Sequence, residues 1–231
     1  MKISGLQKLT LLDYPGTVAC TVFTYGCNFR CPFCQNASLV LPQKAPECIS
    51  QEEVLDFLKK RIGLLEGVAI TGGEPLLHTD LPEFLSSIKE MGYRVKLDTN
   101  GSQPISLLSV IKAGLVDRVA MDIKSSPAGY AAAIGTDRIP LEHIEHSMKV
   151  LMDGDLPFEF RTTVVKGLHT TEILTELAQW IAGDEEYYLQ QYRDSGDLIA
   201  PEGLSAFSEK ELGDMLDQIR RYVPRAEIRG L

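Results

Sequence analysis

Three cysteines fall within eight consecutive positions, in Gly26-Cys27-Asn28-Phe29-Arg30-Cys31-Pro32-Phe33-Cys34-Gln35, with the spacing Cys-x3-Cys-x2-Cys. Thiolates are soft ligands that suit iron–sulfur clusters or zinc, and a tight loop carrying three of them can wrap one face of a cubane cluster. Three ligands leave one iron of such a cluster open. Structural zinc takes a fourth protein ligand, and Cys20, Cys48 and the four scattered histidines show no spacing that supplies it cleanly. The iron–sulfur reading is therefore favoured, with a zinc knuckle as the alternative. Dense spacing among Gly and Pro argues against three inert core thiols. Cys20 alternates with apolar residues and reads as a small core residue, while Cys48 is a loop thiol with no visible partner.

Other residues could join that chemistry. Gly72-Gly73-Glu74-Pro75 ends a strand-like run, where glycines let the backbone approach a ligand closely; by itself the pattern fits a plain turn equally well. Asp98 and Asp122 close two further runs. Lys124 lies two residues past Asp122, on the same side of an extended chain. His143 and His146 share a helix face without a third ligand, so a solvated surface is the better reading.

Short β-branched runs alternate with longer amphipathic stretches, the pattern of parallel strands joined by crossover helices. Strands are predicted at 18–24, 68–71, 94–98, 118–123, 158–165, 187–191 and 226–228. Helices are predicted at 51–61, 81–91, 105–112, 140–152, 171–181 and 209–222. Ser50 with Glu53 and Ser208 with Glu211 have capping-box spacing at two helix starts. The pattern fits an open doubly wound sheet or an incomplete barrel, and in both ligands bind at the carboxyl ends of the strands. The longest irregular stretches are 36–47 and 193–205.

At 231 residues and 44% hydrophobic, with no linker, the chain reads as one domain over 1–231, the cluster loop occupying 25–36. A net charge of −9 without a basic run argues against nucleic acid as a partner. No segment has the length of a signal peptide core or the roughly 18 apolar residues of a membrane span, so a cytoplasmic location is expected. An odd cysteine count, with three clustered, fits metal ligation in a reducing compartment better than disulfides.

The pattern Cys27, Cys31, Phe33, Cys34 resembles the Cys-x3-Cys-x-aromatic-Cys hallmark of the radical S-adenosylmethionine (SAM) superfamily. Asp13-Tyr14-Pro15-Gly16 ahead of it, and Thr71-Gly72-Gly73-Glu74-Pro75, Leu97-Asp98-Thr99-Asn100-Gly101 and Met121-Asp122-Ile123-Lys124 after it, occur in order and resemble the glycyl-radical activating enzymes. Within these the chain is similar to the activating type for anaerobic ribonucleoside-triphosphate reductase, in the longer variety related to pyruvate formate-lyase activase. It departs where relatives read Asp-Gly-Pro-Gly and where some carry additional ferredoxin-like cysteines. The resemblance implies a partial (β/α)6 barrel, a [4Fe–4S] cluster on Cys27, Cys31 and Cys34, and SAM. It implies that Gly72, Gly73 and Glu74 receive the methionine amino group, that Lys124 pairs with the carboxylate, and that Arg161 and Arg193 lie near the carboxylate and ribose. The resemblance further implies that Phe33 packs against adenine, that Gln35 belongs to the same cofactor site, and that a monovalent cation sits between Asp98 and Asp122, helped by Thr99 and the Ala120 carbonyl; two solvated or capping aspartates are the alternative. For Asp13 it implies a contact with a partner loop, with helix capping or a turn as the alternative. The implied partner is the large subunit of anaerobic ribonucleotide reductase or another glycyl-radical enzyme, with flavodoxin or ferredoxin as reductant. Rival readings are a pyruvate formate-lyase-like target, a small-molecule radical reaction, and a binding module without catalysis.

Overall fold

The structure, a computed structural model, describes residues 1–42, 47–183 and 185–231. Eight strands form one sheet in chain order: β1 (Ile3–Thr10), β2 (Ala19–Thr24), β3 (Gly67–Gly72), β4 (Arg94–Thr99), β5 (Arg118–Asp122), β6 (Phe158–Val164), β7 (Glu186–Gln191) and β8 (Ala226–Arg229). β1 is antiparallel to β2, and every later neighbouring pair is parallel. A strand order that never doubles back removes the doubly wound alternative and leaves the arc of a partial barrel. β1 and β8 are its two edges, so the arc does not close.

Helices α1 (Ala37–Val40), α2 (Gln51–Lys59), α3 (Leu81–Glu90), α4 (Pro104–Lys112), α5 (Tyr130–Ile134), α6 (Leu141–Met152), α7 (Thr171–Trp180) and α8 (Glu209–Ile219) fill the crossovers. Ser208 and Glu211 complete both halves of a capping box at α8. At α2, the Ser50 hydroxyl accepts from the Glu53 N–H at 3.0 Å. Among the described residues no helix is long and apolar enough to cross a membrane.

Alternation along the strands divides the sheet into two faces. Val95, Leu97, Val119, Met121 and Phe160 are fully buried and belong to the same core as Phe84, Leu85, Ile88, Leu107 and Leu151 of the surrounding helices. Each such large side chain contributes about 1.5–3 kcal/mol by leaving water. The residues between them carry charge into the barrel interior. Lys96 Nζ meets Asp98 at 2.5 Å, Arg161 bridges Asp98 at 3.3 Å and Asp122 at 3.0 Å, and Lys124 meets Asp122 at 3.0 Å. The Asp122–Arg161 contact follows from register, which sets the two opposite each other on β5 and β6. Buried Glu159 is held separately, by Arg118 and Arg229, each at 2.9 Å.

The strand β1 is absent from the sequence expectation. Its apolar residues do not alternate, three of its eight residues are exposed, and its pairing with β2 is broken by two register shifts. The predicted 209–222 helix ends at Ile219, where the chain turns toward β8. The 36–47 stretch contains α1, and its residues 43–46 lie outside the described residues.

Candidate active site

A cavity of about 350 Å³ opens at the carboxyl ends of the parallel strands. Cys27, Cys31 and Cys34 line it together with Gly72 and Gly73 from the end of β3, and with Asp98, Asp122, Lys124 and Arg161 from the ends of β4, β5 and β6. Phe33, Gln35 and Asp13 line it as well. Residues separated by more than a hundred positions thus share one wall because the parallel strands all end on the same rim.

The loop that carries the thiols is fastened from several sides. The Arg30 N–H donates to the Ile134 carbonyl at the end of α5, at 2.8 Å. The Arg30 guanidinium returns to the Cys27 and Phe29 carbonyls at 2.7 and 2.6 Å. Asn100 donates to Asn28 at 3.0 Å and lies 3.7 Å from the Cys27 sulfur, while Asn28 donates to Ser102 at 2.8 Å. From the far end of the chain, the Ala200 N–H donates to the Pro32 carbonyl at 3.0 Å. Gln35 donates to the Arg193 carbonyl at 2.7 Å. The Ser38 N–H donates to the Asp197 carboxylate at 3.1 Å, so the two longest irregular stretches also meet beside the thiol loop.

Gly72 and Gly73 are required by the backbone. Gly72 has φ +110°, and a Cβ at Gly73 would lie 2.0 Å from the Gly26 carbonyl oxygen. The pair presses the end of β3 against the thiol loop and leaves bare backbone toward the cavity. Glu74 does not face that cavity, contrary to the expectation that it receives an amino group. Its buried carboxylate accepts from the Leu76 N–H at 3.1 Å, the Thr99 hydroxyl at 2.9 Å and the Asn100 N–H at 2.7 Å. Burial pushes its pKa up to about 7 against these donors.

Arg193 also differs from expectation. Its guanidinium donates to the Gly230 carbonyl at 2.7 Å and lies outside the cavity lining, because β7 and β8 run side by side and bring their ends together. Asp98 and Asp122 do converge, but the Arg161 guanidinium stands between them and supplies the positive charge assigned to a monovalent cation. Burial opposes the charged forms, yet Arg161 and Lys124 lower Asp122 to about 2, and Asp122 in turn raises Lys124 and Arg161. All three are ionised at neutral pH. Asp13 accepts from Thr21 Oγ1 at 2.5 Å inside the cavity. His143 Nδ1 lies 3.2 Å from the Ser102 carbonyl.

Burial pushes the Cys27 thiol up to about 11 and Cys31 up to about 12, and raises Cys34. A bound metal deprotonates its thiols, so loading this site releases protons. All five cysteines are thiols; Cys20 is fully buried in the outer core. Among the described residues no three His, Cys, Asp or Glu side chains are grouped as a single metal ion requires. A cubane presents its irons at separate corners, and three soft donors around one cavity match that shape.

The sequence reading missed His169, buried beside the cavity wall, along with Arg30, Asn28 and Ser102. Asn100 lay within a quoted motif without a role. None has a distinctive spacing; only the folded rim assembles them.

Residues 21–179 match the Radical SAM superfamily. The chain is 30% identical, over 99% of its length and 96% of the relative's, to a Methanocaldococcus jannaschii protein provisionally named a glycyl-radical enzyme activating enzyme. It is also 30% identical over 84% of its length to a Helicobacter pylori GTP 3',8-cyclase, of which it spans 61%. Among solved structures, Streptococcus suis SuiB bound to S-adenosylmethionine has a TM-score of 0.69 over 90% of this chain and 49% of SuiB, at 14% identity. A domain of a Bacteroides vulgatus pyruvate-formate lyase-activating enzyme has a TM-score of 0.58 over 71% of this chain and 99% of that domain, at 21% identity. The chain belongs to the radical SAM superfamily. It is a radical SAM enzyme, and the cofactors of its family are a [4Fe–4S] cluster and S-adenosylmethionine.

Proposed function

We propose that this enzyme installs a glycyl radical on a partner protein, and that the partner is an anaerobic ribonucleoside-triphosphate reductase. The observation that carries the reading is one cavity lined by three thiols, a bare glycine backbone and a charged lysine, at the rim of a barrel that stays open between β1 and β8. The open side suits entry of a loop from another protein. Near-complete mutual coverage with the archaeal relative favours an activating enzyme over the longer cyclases.

In this reading Cys27, Cys31 and Cys34 would hold the cluster through their thiolates, with SAM bound beside it in the same cavity. Bound there and reduced, such a cluster would supply the electron for reductive cleavage of SAM to methionine and a 5′-deoxyadenosyl radical, which would take a hydrogen atom from the partner's glycine Cα. Gly72 and Gly73 offer backbone groups to the methionine amino group. Lys124 pairs with its carboxylate, and Phe33 and Gln35 border the nucleoside. Asp98, Asp122 and Arg161 fix Lys124 in its charged form, while Glu74 organises the loop from behind and Arg193 acts through its backbone. The whole chain, 1–231, acts as one domain. A flavodoxin or ferredoxin serves as reductant, and a reducing cytoplasm keeps the thiols available.

The test mixes the reconstituted, reduced protein with SAM and anaerobic ribonucleotide reductase and follows electron paramagnetic resonance. A glycyl-radical signal with one methionine released per radical is expected. SAM cleavage without a signal on that partner would overturn the partner assignment.

A further inference from the structure

His169 belongs to none of the motifs above, yet it touches three segments that build the cavity. It is 3% exposed. Its Nδ1 lies 3.0 Å from the Val165 N–H, just past the end of β6, and its Nε2 lies 2.9 Å from the Lys124 carbonyl, just past β5. Its ring meets Phe33 in a T-shaped contact, with centroids 6.4 Å apart and planes inclined at 65°. A backbone N–H can only donate and a carbonyl can only accept, so Nδ1 must carry the lone pair and Nε2 the hydrogen. The ring is thereby fixed as one neutral tautomer, and its position is set from two sides.

We propose that His169 is a positioning residue for S-adenosylmethionine: its Nε2–H holds the backbone of Lys124, and its ring holds Phe33, at the spacing the cofactor needs. The inference rests on the SAM roles given above to Lys124 and Phe33. Lys124 can reach a ligand carboxylate only if its backbone is placed, because Asp122 already draws its ammonium to one side at 3.0 Å. Val165 anchors the ring so that the bond to Lys124 does not drift. Partners of this kind, one step behind the contacting residue, are worth about 10–100-fold in affinity or activity at metal sites.

Glutamine and asparagine separate the two bonds. The amide nitrogen of Gln falls near the position of Nε2 and keeps a donor for Lys124; the amide oxygen of Asn falls near Nδ1 and keeps only the acceptor for Val165. On cluster-loaded, unreduced protein, SAM binding is titrated and iron content and thermal midpoint are measured. His169→Asn is expected to weaken SAM binding about tenfold, and His169→Gln to stay within about threefold of wild type, with matching iron content and midpoints. Equal weakening by both variants, or none by either, overturns the proposal. Nitrogen-15 shifts of His169 in the unaltered protein provide a reading independent of any variant: an Nε2–H tautomer supports the proposal and an Nδ1–H tautomer overturns it. Failure of the wild type to bind SAM would instead sink the SAM roles on which the inference rests.

Discussion

The close approach of β3 to the thiol loop gives a prediction whose size follows from distances. In Gly73→Ala the new Cβ would lie 2.0 Å from the Gly26 oxygen, 2.7 Å from its carbonyl carbon and 3.1 Å from its nitrogen. All three are backbone atoms, so no side chain can swing aside. Ordinary contact requires about 3.5 Å, and the loop must retreat by about 1.5 Å. That retreat is resisted by the Gly26 N–H bond to the Leu39 carbonyl at 2.7 Å, and it stretches the Glu74 N–H bond to the Gly26 carbonyl, now 2.8 Å. Overpacking costs about 1–3 kcal/mol and the weakened hydrogen bond about 1 kcal/mol more. The sum, about 2–4 kcal/mol, corresponds to a fall in melting temperature of about 5–15 °C for a chain of this length. Iron content after reconstitution should fall as well, since Gly26 adjoins Cys27. Gly213→Ala is the control of opposite sign: it lies inside α8 with nothing within 4 Å of its Cβ position, and should gain about 0.5–1 kcal/mol. Calorimetry and iron analysis read both variants. A Gly73→Ala protein that melts with the wild type and loads full iron would refute the steric argument.

Three further outcomes are expected. Cys31→Ala should lose most cluster iron and all SAM cleavage, checked by metal analysis and by release of methionine; full iron would count against the three-thiol ligand set. Lys124→Met should keep its iron but weaken SAM binding by about 10- to 100-fold, because a charge-assisted contact worth about 1.5–3 kcal/mol is removed; unchanged affinity in a direct titration would contradict its role. Burial raises Glu74 from 4.5 to about 7, so the folded state holds a proton that the unfolded chain has released between those values. Its contribution to stability is present below pH 4.5 and is lost as pH rises toward 7. Glu74→Gln should therefore show a shallower decline than wild type in denaturation series across that window, and parallel curves would argue against a proton on Glu74.

The parallel strands and their helices were legible because each outward face alternates cleanly, as Val95 and Leu97 do on β4, and because caps such as Ser208 mark helix starts. The thiol loop was legible from spacing alone. β1 was not, since an edge strand with two register shifts leaves no alternation to read. Glu74 and Arg193 were placed in the site by motif, and the fold turned each toward a local partner instead. The charges inside the barrel escaped for a different reason. Lys96 looks like a surface residue until its strand turns it inward beside Asp98 two positions on, and Arg161, placed near the cofactor by resemblance, gives no sign of its pairing until register sets it opposite Asp122. His169 carries no signal in the chain at all; its two bonds join backbone atoms forty or so positions apart and four positions apart.

An arc that stays open retains two strand edges that closure would have removed, and unpaired edges invite identical chains to stack on one another. Both edges here carry deterrents. β1 bends at its two register shifts and exposes Lys8, and β8 is only four residues long, with Glu227 and Arg229 along it. Self-association through the sheet is thus discouraged on the two sides that flank the gap. The same irregularity that hid β1 from the sequence works against edge-to-edge pairing with other copies of this protein.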